Sequence, residues 1–114
     1  MENLMENSQF QSIAEQNDDF RLHPSKGTFC LTSGIRALGK DCVREIINIV
    51  RNFNNFNEDN DPYGEHDFGA FYYRNRQIFF KIDNYDREFL YLSPDVTNPK
   101  LTNKVLTIML AQEY

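Results

Sequence analysis

Apolar residues recur at helical spacing in the first half of the chain. A patchy stripe over residues 9–21 predicts a short amphipathic helix, which the proline and glycine of residues 23–27 bring to an end. A β-branched and aromatic run at residues 28–32 predicts a strand. A more regular stripe predicts a second helix over about residues 40–54. This stripe consists of Val43, Ile46, Ile47, Val50 and Phe53.

The second half of the chain alternates between apolar and polar positions, as strands do. Residues 68–74 and 77–83 flank a two-residue turn at Asn75-Arg76, and residues 87–93 can pair back on the second of these strands. The result would be an antiparallel meander with apolar residues on both faces. A helix-start signal at Asn98-Pro99 then predicts a last, largely apolar helix that runs almost to the C-terminus.

The predicted order of elements is α-β-α-β-β-β-α. It indicates an α+β fold, in which three helices pack mainly on one face of a three-stranded antiparallel meander with one further strand. We expect a single domain over residues 1–114, with about residues 1–8 frayed. Any sheet surface that the helices leave uncovered would serve a partner, or a homodimer through an apolar sheet face.

Residues 57–69 are the most unusual stretch of the sequence, and we call them the acidic loop. They combine five acidic residues, a histidine, a proline and two glycines. The simplest interpretation is a structural loop, in which Asp and Asn side chains bond their own backbone. We expect residues 61–68 to be ordered and attached to the sheet, with His66 bonded to a carboxylate or carbonyl near Asp83 or Tyr85.

A cation site in the acidic loop is an alternative, because carboxylates and imidazole are common metal ligands. An EF-hand that starts at Asp59 fails, because its twelfth position is Ala70 instead of glutamate. We therefore expect no metal and no cofactor. If a metal binds, the sequence favours a ligand set from the loop and the following strands. That set is Asp61, His66, Asp67 and Asp83.

The net charge of −5 argues against direct binding to nucleic acid and is compatible with a basic protein partner. Tyr72 and Phe79 could stack on bases, but rings in such strands more often pack in a core. Cys30 and Cys42 occur without a CxxC motif, so we expect reduced, buried thiols in a cytoplasmic protein. No apolar run approaches the roughly 20 residues of a membrane span, so no membrane association is expected.

Three motifs carry a resemblance to a known family. They are the acidic loop with its DNDPYGEHDFG run, the KIDNYD run at residues 81–86, and the LTIMLAQEY run at residues 106–114. From about Leu31 to the C-terminus, the chain resembles a family of short bacterial proteins, the domain of unknown function 3768. Asn84 stands where that family's pattern suggests an aromatic residue. The resemblance implies a bacterial protein, often encoded on a mobile element, and it implies no particular reaction.

Two classes of function follow from these observations. The first is a non-enzymatic acidic interaction protein, whose most concrete version is a mobile-element-encoded inhibitor of a host nucleic-acid-handling protein. The alternative is a small metal-dependent hydrolase that uses the acidic loop. The first is favoured, so an enzyme is not the leading expectation. The candidate binding residues are Asp59, Asp61, Glu65, His66, Asp67, Tyr72 and Phe79.

Overall fold

A computed structural model describes residues 11–114, so the segment expected to fray lies outside the described residues. Three helices and four strands follow one another within this range. The helices are α1 (Ile13–Leu22), α2 (Ser33–Arg36) and α3 (Lys40–Asn52). The strands are β1 (Thr28–Leu31), β2 (Phe68–Tyr73), β3 (Arg76–Tyr85) and β4 (Asn103–Leu110).

The four strands form one mixed sheet in the order β1-β4-β3-β2. Strand β1 runs parallel to β4, while the pairs β4–β3 and β3–β2 are antiparallel. The strands β2, β3 and β4 are therefore a meander with β1 as the further strand. The helices contribute Phe20, Ile35, Ile46 and Val50 to a core against one face of this sheet. The predicted α+β class is confirmed, although the third helix is the short α2 and not the expected C-terminal helix.

The expected C-terminal helix is wrong, because residues 103–110 form the strand β4. The helix-start signal at Asn98-Pro99 does operate, since the Asn98 side chain accepts a hydrogen bond from the Lys100 amide. It starts only one 3₁₀ turn, Pro99–Leu101. Strand β4 lies between two neighbours and is apolar on both faces, and such a segment has no polar face from which periodicity could distinguish a strand from a buried helix.

Residues 87–93 do not form the predicted third strand of the meander, because β4 takes that place beside β3. One isolated bridge, between Tyr85 and Leu92, is the only ladder contact of this segment among the described residues. Pairing with β4 sets Phe80 against Ile108 and Ile82 against Leu106, which buries all four side chains. The shorter segment could not offer an equal run of inward apolar positions.

The hairpin between β2 and β3 is confirmed, but its turn lies one residue earlier than expected. Arg74 and Asn75 both have positive φ, 49° and 68°, as a two-residue primed turn requires. Gly69 consequently lies opposite Phe80, whereas a turn at Asn75-Arg76 would place Phe71 there. A Cβ on Gly69 would lie 2.2 Å from the Phe80 ring, so the glycine makes this pairing possible. Moving the turn by one residue shifts the pairing of β2 with β3 by two residues. An even shift leaves every side chain on the face that the alternation predicts.

The sheet face opposite the helices carries a mixture of apolar and polar side chains, and we call it the open face. Tyr114 packs there against Phe68 and Phe79, at centroid distances of 6.1 and 5.6 Å. Lys81 and Asp83 form an ion pair on the same face, at 3.3 Å.

Candidate functional site

The acidic loop is folded around the buried carboxylate of Asp61. Its Oδ1 accepts hydrogen bonds from the amides of Glu65 and His66, at 3.0 and 3.2 Å. Gly64 and His66 have positive φ, 65° and 56°, which turns these amides inward. Asn57 caps the preceding turn by accepting from the amides of Asp59 and Asn60. The loop thus uses Asp and Asn side chains to bond its own backbone, as the structural interpretation predicts.

His66 joins the acidic loop to helix α1. Its Nδ1 lies 3.0 Å from both carboxylate oxygens of Asp18, and its Nε2 lies 3.7 Å from Asp61 Oδ2. The imidazole is stacked on the Phe56 ring, with centroids 4.0 Å apart and planes 4° from parallel. The expected carboxylate partner exists, but its expected position near Asp83 or Tyr85 is wrong. Helix α1 supplies it, and no local pattern in the loop indicates which helix packs above it.

Asp18 also bonds the buried guanidinium of Arg21. The Asp18 carboxylate thus contacts both the Arg21 guanidinium and the His66 imidazole. Arg21 Nη1 donates to the carbonyls of Val50 and Phe53, at 2.9 and 2.7 Å. These carbonyls lie at the C-terminal end of α3, where a positive charge is favourable. The same guanidinium lies over the Phe56 ring, 5.2 Å from its centroid. The chain from Arg21 through Asp18 to His66 therefore fixes the loop to both long helices.

The carboxylates at the end of the acidic loop crowd one another. Burial, followed by the nearby charges of Asp67 and Asp61, raises the pKa of Glu65. Burial also raises the pKa of Asp67, with Asp61 and Asp83 adding to the effect. Glu58 and Asp59 are exposed at the outer side of the loop. Negative charge is consequently concentrated at this end of the sheet.

Lys104 lies beneath this negative charge on β4. Its Nζ donates to the side-chain oxygens of Asn17 and Asn84, at 2.6 and 2.7 Å. Burial lowers the pKa of Lys104 to about 8, although the charge of Asp67 acts in the opposite direction. Asn17 also donates to the Glu65 carbonyl at 2.8 Å. The lysine and the two asparagines are thus part of the scaffold beneath the loop.

The predicted binding residues occupy two separate places. Asp59, Asp61, Glu65, His66 and Asp67 lie in the acidic loop, and the side chains of Asp61 and His66 are engaged inside the molecule. Tyr72 and Phe79 lie on the open face instead. Tyr72 is 72% exposed at the sheet edge, whereas Phe79 is half-buried against Phe68 and Tyr114. The aromatic pair and the acidic group do not form one continuous cluster.

The four-residue segment Phe89–Leu92 is an exposed feature that the sequence interpretation missed, and we call it the apolar tip. Its side chains Phe89, Leu90, Tyr91 and Leu92 are between 53% and 76% exposed. The sequence pattern predicts a sheet strand over residues 87–93, in which alternate side chains would be buried. The preceding run Asp86-Arg87-Glu88 is the one local signal against that strand, since it is charged at three successive positions.

Hydrogen bonds at its base hold the apolar tip in one conformation. Asp86 Oδ1 accepts from the amides of Glu88 and Leu90, at 3.1 and 3.0 Å, and the Asp86 amide donates to the Tyr91 carbonyl at 2.8 Å. Asn103 Nδ2 donates to the carbonyls of Asp86 and Arg87. Its side-chain oxygen accepts from the Arg87 guanidinium at 2.7 Å. The tip is therefore built by the fold and presented at the surface.

A cleft of about 640 Å³ opens between the base of the apolar tip and helix α1. Its wall combines the Phe20 ring with the charged side chains Asp19, Lys26 and Arg87. Phe89 forms one rim of the cleft. The cleft thus leads from the tip toward the helical layer, and its lining is mostly polar and charged.

The cysteines differ from the expectation in one respect. Both are free thiols, and Cys42 is half-buried, but Cys30 is exposed on β1. The expectation that both are buried is wrong for Cys30, because β1 turns alternate residues outward and no other strand of residues 11–114 lies along its outer edge.

Within residues 11–114, no three His, Cys, Asp or Glu side chains are grouped so that they could hold a metal ion. The carboxylates of Asp61 and Asp18 instead satisfy amide, imidazole and guanidinium groups. No helix in the same part of the chain is both long and apolar enough to span a membrane.

Comparison with known proteins identifies a family but no activity. The family model described as "Protein of unknown function (DUF3768)" matches residues 31–113, and the chain belongs to this family. No curated protein and no solved structure gives a significant match. The matched range includes the acidic loop, the apolar tip and the whole sheet except residues 28–30 of β1. Helix α1 lies before the matched range.

Proposed function

We propose that this chain is a non-enzymatic interaction protein that docks on a basic partner protein through the apolar tip and the neighbouring acidic loop. The observation that carries the proposal is the tip itself. Four consecutive large apolar side chains are held in solvent by a hydrogen-bonded base. Surface patches of this kind mark interaction sites, because their burial against a partner is favourable.

The position of the tip supports the same conclusion. Strand β2 starts and strand β3 ends at the same end of the sheet, because the two are antiparallel neighbours. The acidic loop precedes β2 and the tip follows β3, so both lie at that end. Apolar anchors surrounded by charge are typical of protein interfaces. Glu58, Asp59 and Glu88 are exposed there and would meet a basic rim on the partner.

The more specific version is an inhibitor of a host nucleic-acid-handling protein in the bacterial cytoplasm. Its support is the net charge of −5 and the mobile-element setting that the family resemblance implies. A protein that binds phosphates offers basic residues, and the exposed carboxylates of the loop could occupy them. The apolar tip would then anchor the contact beside the charged surface.

The test compares the natural chain with a double variant, Leu90→Ser with Tyr91→Ser, in affinity capture from a bacterial lysate. Leu22→Ser on α1 is a matched control, since the Leu22 side chain is exposed and does not line the cleft beside the tip. We expect one basic protein to bind the natural chain and the control but not the tip variant. The purified partner should then bind the natural chain with an affinity that decreases as salt increases. Equal recovery of every protein by all three chains would overturn the proposal.

A further inference from the structure

Within the described part of the chain, strand β2 is an outer strand of the sheet, and the backbone groups along one of its sides have no partner. Its only strand partner among the described residues is β3. The Ile82 amide donates to the Asp67 carbonyl at 2.8 Å. The backbone amides and carbonyls of residues 67, 69, 71 and 73 therefore point toward β3. The amides and carbonyls of Phe68, Ala70 and Tyr72 consequently point away from the sheet. No residue within 11–114 bonds these outward groups.

The exposed edge of β2 lacks the features that normally prevent pairing with another strand. Its sequence, Phe-Gly-Ala-Phe-Tyr-Tyr, contains no charged residue and no proline over six positions, and its pairing with β3 is continuous, without a bulge. Natural edge strands are usually short, charged, interrupted by proline or twisted by a bulge. The other edge strand, β1, follows this rule in length, since it has only four residues. The edge of β2 is therefore suited to accept another strand.

We propose that the occupant of this edge is strand β2 of a second copy, paired antiparallel about a two-fold axis at Ala70. In this register, Ala70 faces Ala70 of the second copy, and Phe68 faces Tyr72 of the second copy. Three outward residues in each copy then exchange backbone hydrogen bonds. The result is one continuous eight-stranded sheet with a self-complementary interface.

The side chains fit this register on both faces of the joined sheet. On the open face, Tyr72 of each copy lies opposite Phe68 of the other, and aromatic cross-strand pairs of this kind are stabilising. On the helix face, Gly69 lies opposite Phe71 of the second copy. The Phe80 and Phe53 rings cover Gly69, so the Phe71 ring of the second copy, which is half-buried in a single copy, would pack beside these rings.

Charge selects the antiparallel orientation. The turn that ends β2 carries Arg74 and is followed by Arg76, and the opposite end of β2 adjoins Glu65 and Asp67. Antiparallel pairing places the basic turn of each copy beside the acidic loop of the other. Parallel pairing would place the acidic loops of the two copies together, where burial and the charge of Asp61 already raise the pKa of both Glu65 and Asp67. The charges therefore favour the two-fold arrangement.

The test measures molecular mass by sedimentation over protein concentrations from micromolar to near-millimolar. We expect a concentration-dependent dimer that weakens as salt increases. Ala70→Pro removes an outward amide that has no partner within residues 11–114 of the same copy, so the fold should be retained. It should weaken the dimer about tenfold, because two backbone hydrogen bonds are lost at the axis. Tyr72→Lys places a charge on the exposed edge and should act in the same direction.

Two control variants separate this interface from other surfaces. Thr107→Lys lies in the middle of the open face, and Leu90→Ser lies in the apolar tip. Both should dimerise like the natural chain. A chain that is monomeric at every concentration would overturn the proposal. So would a dimer that Thr107→Lys disrupts and Ala70→Pro leaves unchanged, since it would be formed through the open face. Both of these results would leave the proposed partner binding by the apolar tip intact, because that binding is measured separately by affinity capture.

Discussion

His66 Nδ1 lies 3.0 Å from both carboxylate oxygens of Asp18, although 48 positions separate the two residues in the sequence. This contact links the acidic loop to helix α1, and the stacked ring of Phe56 supports the imidazole from one side. The most distinctive motif of the sequence thus has a structural role that can be measured apart from any binding.

Replacing His66 with alanine should lower the free energy of unfolding by about 1–3 kcal/mol, because Asp18 and Asp61 would lose a partly buried partner. Chemical denaturation of the two proteins measures this difference. His23→Ala is the control, since the His23 side chain is 60% exposed, and it should change stability by less than about 0.5 kcal/mol. Equal stability of His66→Ala and the natural chain would show that the histidine does not hold the loop.

Replacing Gly69 with alanine should destabilise the domain by about 1–3 kcal/mol through overpacking. The new Cβ would lie 2.2 Å from the Phe80 ring and 2.9 Å from the Phe53 ring. Combining the substitution with Phe80→Leu should reduce this cost, because the smaller side chain leaves room. A double-mutant cycle by denaturation measures the coupling. Additive effects of the two substitutions would contradict the proposed contact.

Replacing Asp67 with asparagine should stabilise the domain at neutral pH. Burial raises the pKa of Asp67, so the folded chain holds this proton more tightly than the unfolded chain does. The stability contribution of the group is therefore greatest below its unfolded pKa of about 3.9 and is lost as the pH rises through the raised folded pKa. Thermal unfolding across pH should show an advantage of the variant that disappears at acid pH. Asp59→Asn, at an exposed position, should show no such trend.

Replacing Glu113 with glutamine should have the opposite pH dependence. The Glu113 carboxylate accepts from the Thr32 hydroxyl and from the amides of Leu110 and Gly34, at 2.6, 2.8 and 3.0 Å. These bonds lower its pKa, with the Thr32 bond as the largest cause. The stability it provides is present above its ordinary pKa of 4.5 and is lost as the pH falls through the lowered value.

The Glu113→Gln variant should accordingly unfold more easily than the natural chain at pH 7 and equally easily in strong acid. Glu88→Gln, in the exposed base of the tip, is a matched control that should follow the natural chain at both pH values. A constant difference between Glu113→Gln and the natural chain at all pH values would mean that shape, and not charge, makes the contact.

The sequence by itself determined the elements whose pattern is complete within one segment. The apolar stripe of helix α3 predicted its buried side, and Ile46 and Val50 lie in the core. The alternation along residues 68–83 predicted the β2–β3 hairpin and the face of each side chain. The turn chemistry of the acidic loop predicted an ordered structure, which Asp61 and Asn57 provide. The α+β class followed from these elements together.

The tertiary structure alone decided the features that depend on competition between distant segments. Residues 103–110 are apolar on both sides, so their local pattern fits a buried helix and a central strand equally well. They form a strand because they pair with β1 on one side and with β3 on the other. This strand occupies the position beside β3 that was predicted for residues 87–93. The displaced segment became the apolar tip. The partner of His66 was decided in the same way. The sequence shows that the imidazole needs a hydrogen-bond partner, but only the packing of helix α1 on the loop brings Asp18 to it.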